Sequence, residues 1–255
     1  MARKSIVGSI KVTKYGTPCK VIEKIDNRNL LVEFQDEHKY KYIVKYRNFL
    51  RGEIKNPYDK TIRNVGYLGE HKYPTRVNSH KMSRCYITWT EMIRRCYVDG
   101  YNKAYSDCYI CDEWLCYANF EEWYYKNYYE IDNESICIDK DILIKDNKVY
   151  SPKTCIFVPK SINSFFVSTN NKRHNDLPLG VSKMTKANTY FCSVGNKSYY
   201  GFKTKQEAHL KYLQEKNNDF HIKLQNYKEI IPMNIYVLLE SINLIERLKD
   251  GEYIE

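Results

Sequence analysis

The chain has 255 residues, of which 43% are hydrophobic and 15% aromatic, so it carries enough apolar surface for folded cores and is not a disordered tail protein. Its 41 Lys and Arg outnumber its 31 Asp and Glu, and the net charge of +10 favours acidic partners such as nucleic acids. No apolar run approaches the roughly eighteen residues of a transmembrane helix, and the length predicts two or three compact units.

Residues 1–60 read as a series of short strands. Strand-like stretches near residues 10–12, 19–23, 30–34 and 40–44 are separated by polar turns. Short strands joined in this way predict a small curled sheet, and we expect a β-barrel of the SH3-like type.

The central unit, residues 61–168, is predicted to contain helices and a β-hairpin. Apolar residues at helical spacing predict a first helix over 83–97, and Asn119, with an acid three residues later, predicts the start of a second. Residues 136–158 read as a hairpin, and a short helix over 161–167 closes it. The strand-like stretches of this hairpin are 136–138, 142–144 and 155–158.

The C-terminal part is predicted to begin after a polar linker and to consist of a three-stranded sheet followed by helices. In the unit 177–231, Thr204 and Glu207 form a capping box that begins a helix running to about Tyr227. Residues 232–255 are predicted to form an acidic helix and tail. The predicted strands are 180–182, 189–194 and 199–202. The predicted fold class of the whole chain is therefore α+β.

The first residues lack the apolar core of a signal peptide, so we expect a cytoplasmic protein whose nine cysteines are mostly thiols. Cys108 and Cys111 have the spacing of a zinc site, which Cys96 and Cys116 would complete. The alternative, which we favour over zinc, is that these cysteines are small core residues.

The charge is unevenly distributed along the chain. Residues 1–60 carry a net charge of +7 and residues 151–231 carry +8, whereas residues 61–150 carry −2 and residues 232–255 carry −3. Basic segments rich in Lys and Tyr suit a phosphate backbone, because neutralised phosphates release counterions. The alternative is that Lys and Tyr reflect only the codons of an AT-rich genome.

The C-terminal strands carry a first set of family motifs. Gly180-Val181 precedes an aromatic strand, Tyr190–Val194, and then the run Gly201-Phe202-Lys203-Thr204-Lys205-Gln206-Glu207-Ala208. This order, over about fifty residues, resembles the Apetala/ethylene-response-factor type of DNA-binding domain in the form found in phage proteins, which has three strands and one helix. Strands of such a sheet enter the major groove, and a solvated sheet face is the alternative. The predicted DNA contacts are Lys183, Lys186, Tyr190, Lys197 and Tyr199.

The central unit carries a second set of motifs. These are Trp89-x-x-Met92-x-x-Arg95-Cys96-Tyr97, Cys111-Asp112-Glu113-Trp114, Asp139-Lys140-Asp141 and Tyr150-Ser151-Pro152-Lys153-Thr154-Cys155. Together they resemble phage-borne HNH-type endonucleases, in which a ββα hairpin holds a metal and a general base. Proteins that join such a unit to an Apetala-type domain are similar to homing endonucleases, so the resemblance implies a phage protein at the nucleoid of its host cell.

The resemblance also assigns candidate site residues. Asp139 and Lys140 stand where a His pair is expected, and Asn163 matches the asparagine of the closing helix. Lys is a poor general base near neutral pH but a good phosphate contact, so Lys140 would neutralise the scissile phosphate. Asp139 and Asp141 offer oxygen ligands for Mg²⁺ or Mn²⁺. The predicted catalytic residues of this degenerate HNH site are Asp139, Lys140, Asp141 and Asn163.

The sequence therefore predicts a protein that binds double-stranded DNA and cleaves it with a metal ion if Asp139, Asp141 and Asn163 form a site. The alternative is a catalytically inactive phage factor that binds DNA or a host protein, as a transcription regulator or as an inhibitor of a host defence system. A virion component is a third class, which the sequence neither supports nor excludes.

Overall fold

The computed structural model describes residues 5–98, 100, 105–166 and 177–248. The chain forms two compact units, of which the first comprises Met1–Lys126 with Lys148–Pro152 and the second Asn127–Asn147 with Lys153–Glu255. Both sheets and helices are present, which confirms the predicted α+β class. The finer division into four segments stays a prediction.

Short strands and helices follow one another along the described residues. In chain order they are β1 (Ile10–Val12), β2 (Pro18–Lys24), β3 (Asn29–Phe34), β4 (Lys41–Lys45), α1 (Tyr46–Arg51), α2 (Arg84–Tyr97), β5 (Tyr109–Ile110), α3 (Asp112–Leu115), α4 (Tyr117–Asn127), β6 (Ile136–Asp139), β7 (Val149–Tyr150), β8 (Ile156–Pro159), α5 (Lys160–Asn163), β9 (Val181–Met184), β10 (Thr189–Val194), β11 (Lys197–Phe202), α6 (Lys205–Gln225), α7 (Met233–Glu240) and α8 (Leu244–Leu248). None of the described helices is long and apolar enough to cross a membrane.

The N-terminal strands form one antiparallel sheet in the order β1-β2-β3-β4. The predicted SH3-like barrel is wrong, because within the described residues β1 pairs with β2 and β4 pairs with β3, and the sheet does not close. A barrel requires both edge strands to find partners. β1 has only three residues, and all of them are exposed.

The core of this sheet lies on one face, because side chains alternate along a strand. In β3, Leu30, Val32 and Phe34 are buried, whereas Leu31 and Glu33 between them are half-buried. Helix α1 and the segment after it complete the apolar cluster. Its buried members are Cys19, Val21, Leu30, Val32, Phe34, Val44, Phe49 and Ile54.

Helix α2 confirms the first predicted helix of the central part. Ser83 is its N-cap, and the Ser83 hydroxyl oxygen accepts a hydrogen bond from the backbone N–H of Tyr86. Trp89 is fully buried, and its indole N–H donates to the carbonyl oxygen of Trp114 at 2.7 Å. A buried indole needs such an acceptor, so this bond fixes α2 against the segment of Trp114.

Two predicted boundaries in the central part are wrong. The second helix does not begin with a cap at Asn119, because α4 begins at Tyr117 and the Asn119 amide donates to the carbonyl of Glu113. Residues 142–144 form no strand, since β6 pairs with β8 and Ile142 is buried in an apolar core. A short apolar run alone does not distinguish a strand from a buried loop.

The hairpin of the second unit consists of β6 and β8. They pair antiparallel, with Cys137 opposite Val158, and α5 follows β8 directly. The predicted hairpin is therefore present, but the helix predicted over 161–167 is limited to Lys160–Asn163, and Val167 lies outside the described residues. β7, which lies between β6 and β8 in sequence, pairs instead with β5 of the first unit, in parallel.

The C-terminal sheet and its helix confirm the prediction for this region. The strand order is β11-β10-β9, and both pairs are antiparallel. Thr204 and Glu207 form the capping box at the start of α6, which has 21 residues. The one helix predicted within residues 232–255 is instead two helices, α7 and α8, separated by residues 241–243, and the predicted tail after residue 248 lies outside the described residues.

Helix α6 connects the sheet to the hairpin within the second unit. Its buried residues recur every three or four positions, which gives the helix one apolar side. The first half of α6 packs under the sheet. The second half belongs to a core shared with the hairpin and with α7 and α8. The buried members of that core are Ile142, Ile156, Val158, Ile162, Phe220, Leu224, Tyr227, Ile231, Tyr236, Leu239 and Leu244.

The contact between Gly180 and α6 gives a stability prediction. Gly180 has a φ of +79°, and a Cβ there would lie 2.0 Å from Cδ2 of Tyr212, whereas Gly201 has a φ of +84° and open space around it. We expect Gly201→Ala to lower the free energy of unfolding by about 1 kcal/mol through backbone strain. Gly180→Ala should lower it by about 2 to 4 kcal/mol, because overpacking adds to the strain. Urea denaturation of both variants measures the difference, and equal losses would contradict this packing.

Candidate functional site

The C-terminal sheet has a one-sided charge. Residues 181–206, which contain β9, β10 and β11, include five lysines and no acidic residue. The acidic residues of the segment 177–231 all lie on α6 or after it. They are Glu207, Glu215, Asp219 and Glu229. The sheet and its turns therefore carry only positive side-chain charges, whereas α6 carries both signs, with four lysines and three acids.

The two faces of the sheet differ. Cys192 in β10 and Val181 opposite it in β9 are fully buried on the face toward α6. The neighbouring positions point to the other face, where the rings of Phe191 and Tyr200 stack with their centroids 5.3 Å apart. Tyr200 is 63% exposed. A stacked aromatic pair, the half-buried Phe191 and the exposed Tyr200, thus forms the centre of the face opposite the helix.

Two hydroxyl groups extend this face toward one end of the sheet. The hydroxyl oxygens of Ser193 and Ser198 lie 2.8 Å apart, across β10 and β11, and both residues are exposed. The face opposite α6 therefore offers hydrogen-bonding hydroxyls beside two aromatic rings. We name Phe191, Ser193, Ser198 and Tyr200 the open face.

The predicted lysine contacts lie at the two ends of the sheet. Lys183 pairs with Tyr190 near the start of β10, and its Nζ lies 5.8 Å from the centroid of the Tyr190 ring. Lys186 is in the turn between β9 and β10, while Lys197 pairs with Val194 at the other end of β10. All three lysines are exposed. Tyr190 itself is half-buried.

Tyr199 lies on the helix side of the sheet, and the register gives the same side to Tyr190, Lys183 and Lys197. Tyr199 pairs with the buried Cys192, and Nζ of Lys211 in α6 is 4.7 Å from the centroid of its ring. A hydrogen bond to the carboxylate of Glu215 raises the pKa of Tyr199. The described geometry therefore brings Tyr200, and not Tyr199, to the open face. No signal within the sequence alone distinguishes Tyr199 from Tyr200, because the pairing of β11 with Cys192 in β10 decides which of them faces the helix.

The loop after β6 uses its charged residues for its own hydrogen bonds. Oδ1 of Asp139 accepts from the backbone N–H groups of Asp141 and Ile142, each at 2.7 Å. Lys140 is 5% exposed, and its ammonium donates to both carboxylate oxygens of Asp141 at 2.9 Å and to the carbonyl of Asn147 at 2.6 Å. This position favours a structural role for Lys140 over the predicted phosphate contact.

A cation from α8 reaches the same loop. The guanidinium of Arg247 donates to the carbonyl oxygen of Asp141. Burial lowers the pKa of Arg247, and the nearby charges of Asp139, Asp141 and Asp146 oppose that shift. Burial raises the pKa of Asp139, and the two backbone hydrogen bonds oppose this. The loop is therefore stabilised by the contacts of Lys140 and Arg247 with Asp141, and its opposite charges partly neutralise one another.

The aspartates of this loop do not fit the implied Mg²⁺ or Mn²⁺ ion as they are arranged. In the part of the chain that the structure describes, no three His, Cys, Asp or Glu side chains come together in an arrangement that holds a metal ion. No hydrogen bond joins Asn163 to Asp139 or Asp141 there, and Oδ1 of Asn163 is buried without a donor among the described residues. The described arrangement of Asp139, Asp141 and Asn163 therefore does not form a metal site for phosphodiester cleavage.

Cys108 and Cys111, the predicted zinc ligands of the first unit, also lack the geometry of a metal site among the described residues. Cys108 is 5% exposed, and burial raises the pKa of the Cys111 thiol, which disfavours the thiolate that zinc binds. The described residues around the pair supply no third ligand in metal-holding geometry. Zinc binding at Cys108 and Cys111 stays a prediction, and the described residues do not supply the further ligands that a zinc site needs.

A hydrogen-bond network ties the closing helix α5 to the end of α6. The carboxylate of Glu134 accepts from the backbone N–H of Ser161 at 2.8 Å and from the hydroxyl of Tyr227. The hydroxyls of Ser161 and Tyr227 are 2.7 Å apart. Burial raises the pKa of Glu134, but the hydrogen bonds from Tyr227 and Ser161 outweigh it, and the pKa is lowered.

Comparison with known proteins adds no relative. No protein-family model matches the chain, and neither a curated protein nor a solved structure does. The functional argument therefore depends on the residues and the geometry of this chain.

The Glu134 network predicts a pH dependence of stability. A lowered pKa in the folded state stabilises the fold above the unfolded value of about 4.5, and this contribution is lost as the pH falls through the folded value. We expect Glu134→Gln to destabilise the protein at pH 7 and to flatten the loss of stability below pH 4.5. Urea denaturation from pH 3 to pH 7 measures both effects. The exposed Glu229→Gln is the control, and a profile of Glu134→Gln that matched wild type would contradict the network.

Proposed function

We propose that the protein binds double-stranded DNA through the three-stranded sheet of its second unit. The observation that carries the proposal is the charge of residues 181–206, which include five lysines and no acid, together with the aromatic and hydroxyl groups of the open face. A cationic surface of this kind neutralises phosphates and gains free energy from counterion release. The acids on α6 lie on the other side, where they do not oppose the duplex.

The dimensions of the sheet suit the major groove. A strand of six residues, such as β10, is about 17 Å long. The major groove is about 12 Å wide, so a strand of this length reaches across it. Lys183 and Lys186 lie near one end of β10 and Lys197 near the other, and all three are exposed, so in this proposal their long side chains extend past the ends of the sheet to phosphates on opposite sides of the groove.

The open face is positioned to contact bases. Its hydroxyl groups are able to donate to or accept from base edges, and its aromatic rings offer apolar contact with thymine methyl groups. Such contacts specify sequence, whereas the lysines set affinity and orientation. Tyr200 is the most exposed ring of this face and is its central candidate.

Binding rather than cleavage is the proposed activity. One carboxylate oxygen of Asp139 accepts two backbone hydrogen bonds, and Asp141 neutralises the buried Lys140. These contacts stabilise the loop after β6, and the described residues contain no metal-holding group of three or more His, Cys, Asp or Glu side chains. The hairpin and α5 pack against the second half of α6, whose first half carries the sheet.

The lysine assignment predicts a loss of affinity and of salt dependence. In Lys183→Gln with Lys186→Gln and Lys197→Gln, we expect DNA affinity at low salt to fall at least about tenfold. The slope of log K against log salt should fall by about 2 to 3, since each phosphate contact contributes about 0.9. Tyr200→Ala should weaken binding while leaving the slope unchanged. Fluorescence anisotropy with a labelled duplex at several salt concentrations measures both quantities.

A charge-matched control separates this surface from general attraction. Lys81, Lys126 and Lys228 are exposed lysines outside residues 181–206, and changing all three to Gln removes the same charge. We expect that variant to keep most of its affinity. Equal losses in the two triple variants would contradict the proposed interface. No DNA binding by wild type would remove the proposal and leave a protein partner as the leading alternative.

The geometry of the loop after β6 predicts that the protein does not cut DNA. We expect no nicking of supercoiled plasmid by wild type with Mg²⁺ or Mn²⁺ at concentrations that give full binding in gel shifts. Metal-dependent nicking that disappears in Asp139→Ala with Asp141→Ala would contradict this and establish a divergent nuclease. Nicking that persists in the double variant would point to a contaminating nuclease, which a repeat with independently purified protein tests.

A further inference from the structure

Two neighbouring cavities of the first unit share an aromatic wall. Their volumes are about 430 Å³ and 400 Å³, and His38, Tyr58 and Tyr67 line both. The rings of His38 and Tyr58 are stacked with centroids 3.7 Å apart and an interplanar angle of 11°. The Tyr67 ring lies 6.0 Å from that of Tyr58. The three rings thus form an aromatic surface that both cavities share.

A second aromatic pair lines the larger cavity. The rings of Tyr73 and Tyr125 are 4.3 Å apart, and both residues are exposed, at 47% each. The faces of tyrosine rings attract cations through their quadrupole. The larger cavity is therefore lined by aromatic surface from two separate clusters.

The charges around these rings are mostly negative, although the chain as a whole carries +10. Two lysines, Lys60 and Lys72, also line the cavities. In the smaller cavity the carboxylates are Asp36, Glu37, Asp59 and Asp112. In the larger cavity they are Glu70, Glu121 and Glu122. Seven carboxylates thus face two lysines in a protein whose overall composition is basic.

Several of these carboxylates are fixed in place. Glu70 accepts a hydrogen bond from the Tyr58 hydroxyl at 2.9 Å, while burial and this bond raise the pKa of Tyr58 to about 12 and keep the hydroxyl protonated. Glu121 is 2% exposed and accepts from the backbone N–H groups of Lys72 and Tyr73. These acceptors are therefore preorganised beside the rings.

Asp59 supplies a separate observation. One of its carboxylate oxygens accepts from the Thr17 hydroxyl. The other oxygen is buried and has no hydrogen-bond donor among the described residues. A buried carboxylate oxygen without a donor is costly, and a cation in the adjoining cavity would offset part of that cost.

We propose that these cavities bind an alkylammonium cation, either a free polyamine or a lysine side chain of another protein. The ammonium group pairs with the carboxylates, and the methylene stem packs on the rings of Tyr58 and Tyr67. A divalent metal ion is a poorer fit, because no three carboxylates converge on one point in the described part of the unit. The site is independent of the DNA-binding surface proposed above.

Isothermal titration calorimetry of the full chain tests this with two probes, spermidine and Nα-acetyl-lysine methylamide. We expect at least one probe to bind with a Kd of about 1 mM or tighter at low salt. Binding of spermidine supports a free polyamine as the ligand, and binding of the lysine derivative alone supports a protein side chain. MgCl₂ at the same ionic strength is the control for general attraction, and equal binding of Mg²⁺ would overturn the proposal.

Variants place the ligand. Glu70 and Glu122 are exposed, so Glu70→Gln and Glu122→Gln should leave the fold intact. We expect each to raise the Kd of the probe that binds, by about tenfold for Glu70→Gln, because a charged partner is lost. Glu229→Gln, with the same change in charge, should leave the Kd unchanged.

The outcomes are decisive in both directions. Absence of binding by both probes, or equal weakening in Glu70→Gln and Glu229→Gln, would overturn the proposal. Thermal melting of each variant shows whether it is folded. If Glu70→Gln melts early, Tyr73→Leu at the exposed second aromatic pair takes its place, and unchanged affinity there together with unchanged affinity in Glu122→Gln would also overturn the proposal.

Discussion

The second unit depends on the burial of one side of helix α6. Its first half packs beneath the C-terminal sheet, where the ring of Tyr212 lies against Gly180. Its second half places Phe220 and Leu224 in the core that also contains the hairpin residues Ile156 and Val158. Each fully buried apolar side chain of this kind contributes about 1.5 to 3 kcal/mol. The sheet and the hairpin are therefore stabilised by two halves of the same helix.

The charged residues of the loop after β6 stabilise the fold. A loop that joins the strands of a small hairpin has backbone N–H groups to satisfy, and Asp139 accepts two of them. The buried ammonium of Lys140 then requires a counterion, which Asp141 supplies. The same residue types would serve a metal site, but here their lone pairs and charges are used inside the chain.

The sequence predicted the elements whose signals are local. The capping box of Thr204 and Glu207 and the strand over 189–194 both depend on residues a few positions apart, and both predictions are confirmed. Closure of the N-terminal sheet depends on how two distant edge strands meet, which no short motif encodes. The predicted strand over 142–144 is wrong because Ile142 packs in a core formed by residues that are distant in sequence. The choice between Tyr199 and Tyr200 required the strand register.

Surfaces of opposite sign occur in this one chain, and salt weakens the attraction of both for their ligands. Residues 181–206 are purely cationic, whereas the cavities beside Tyr58 and Tyr67 collect carboxylates. A salt dependence measured on the whole protein therefore does not identify the surface that binds. Substitutions that remove equal charge at different places do identify it, because the long-range contribution is then constant and only the local contacts differ. The net charge of the chain therefore does not identify the ligand of either surface, because the local arrangement of charged residues selects it.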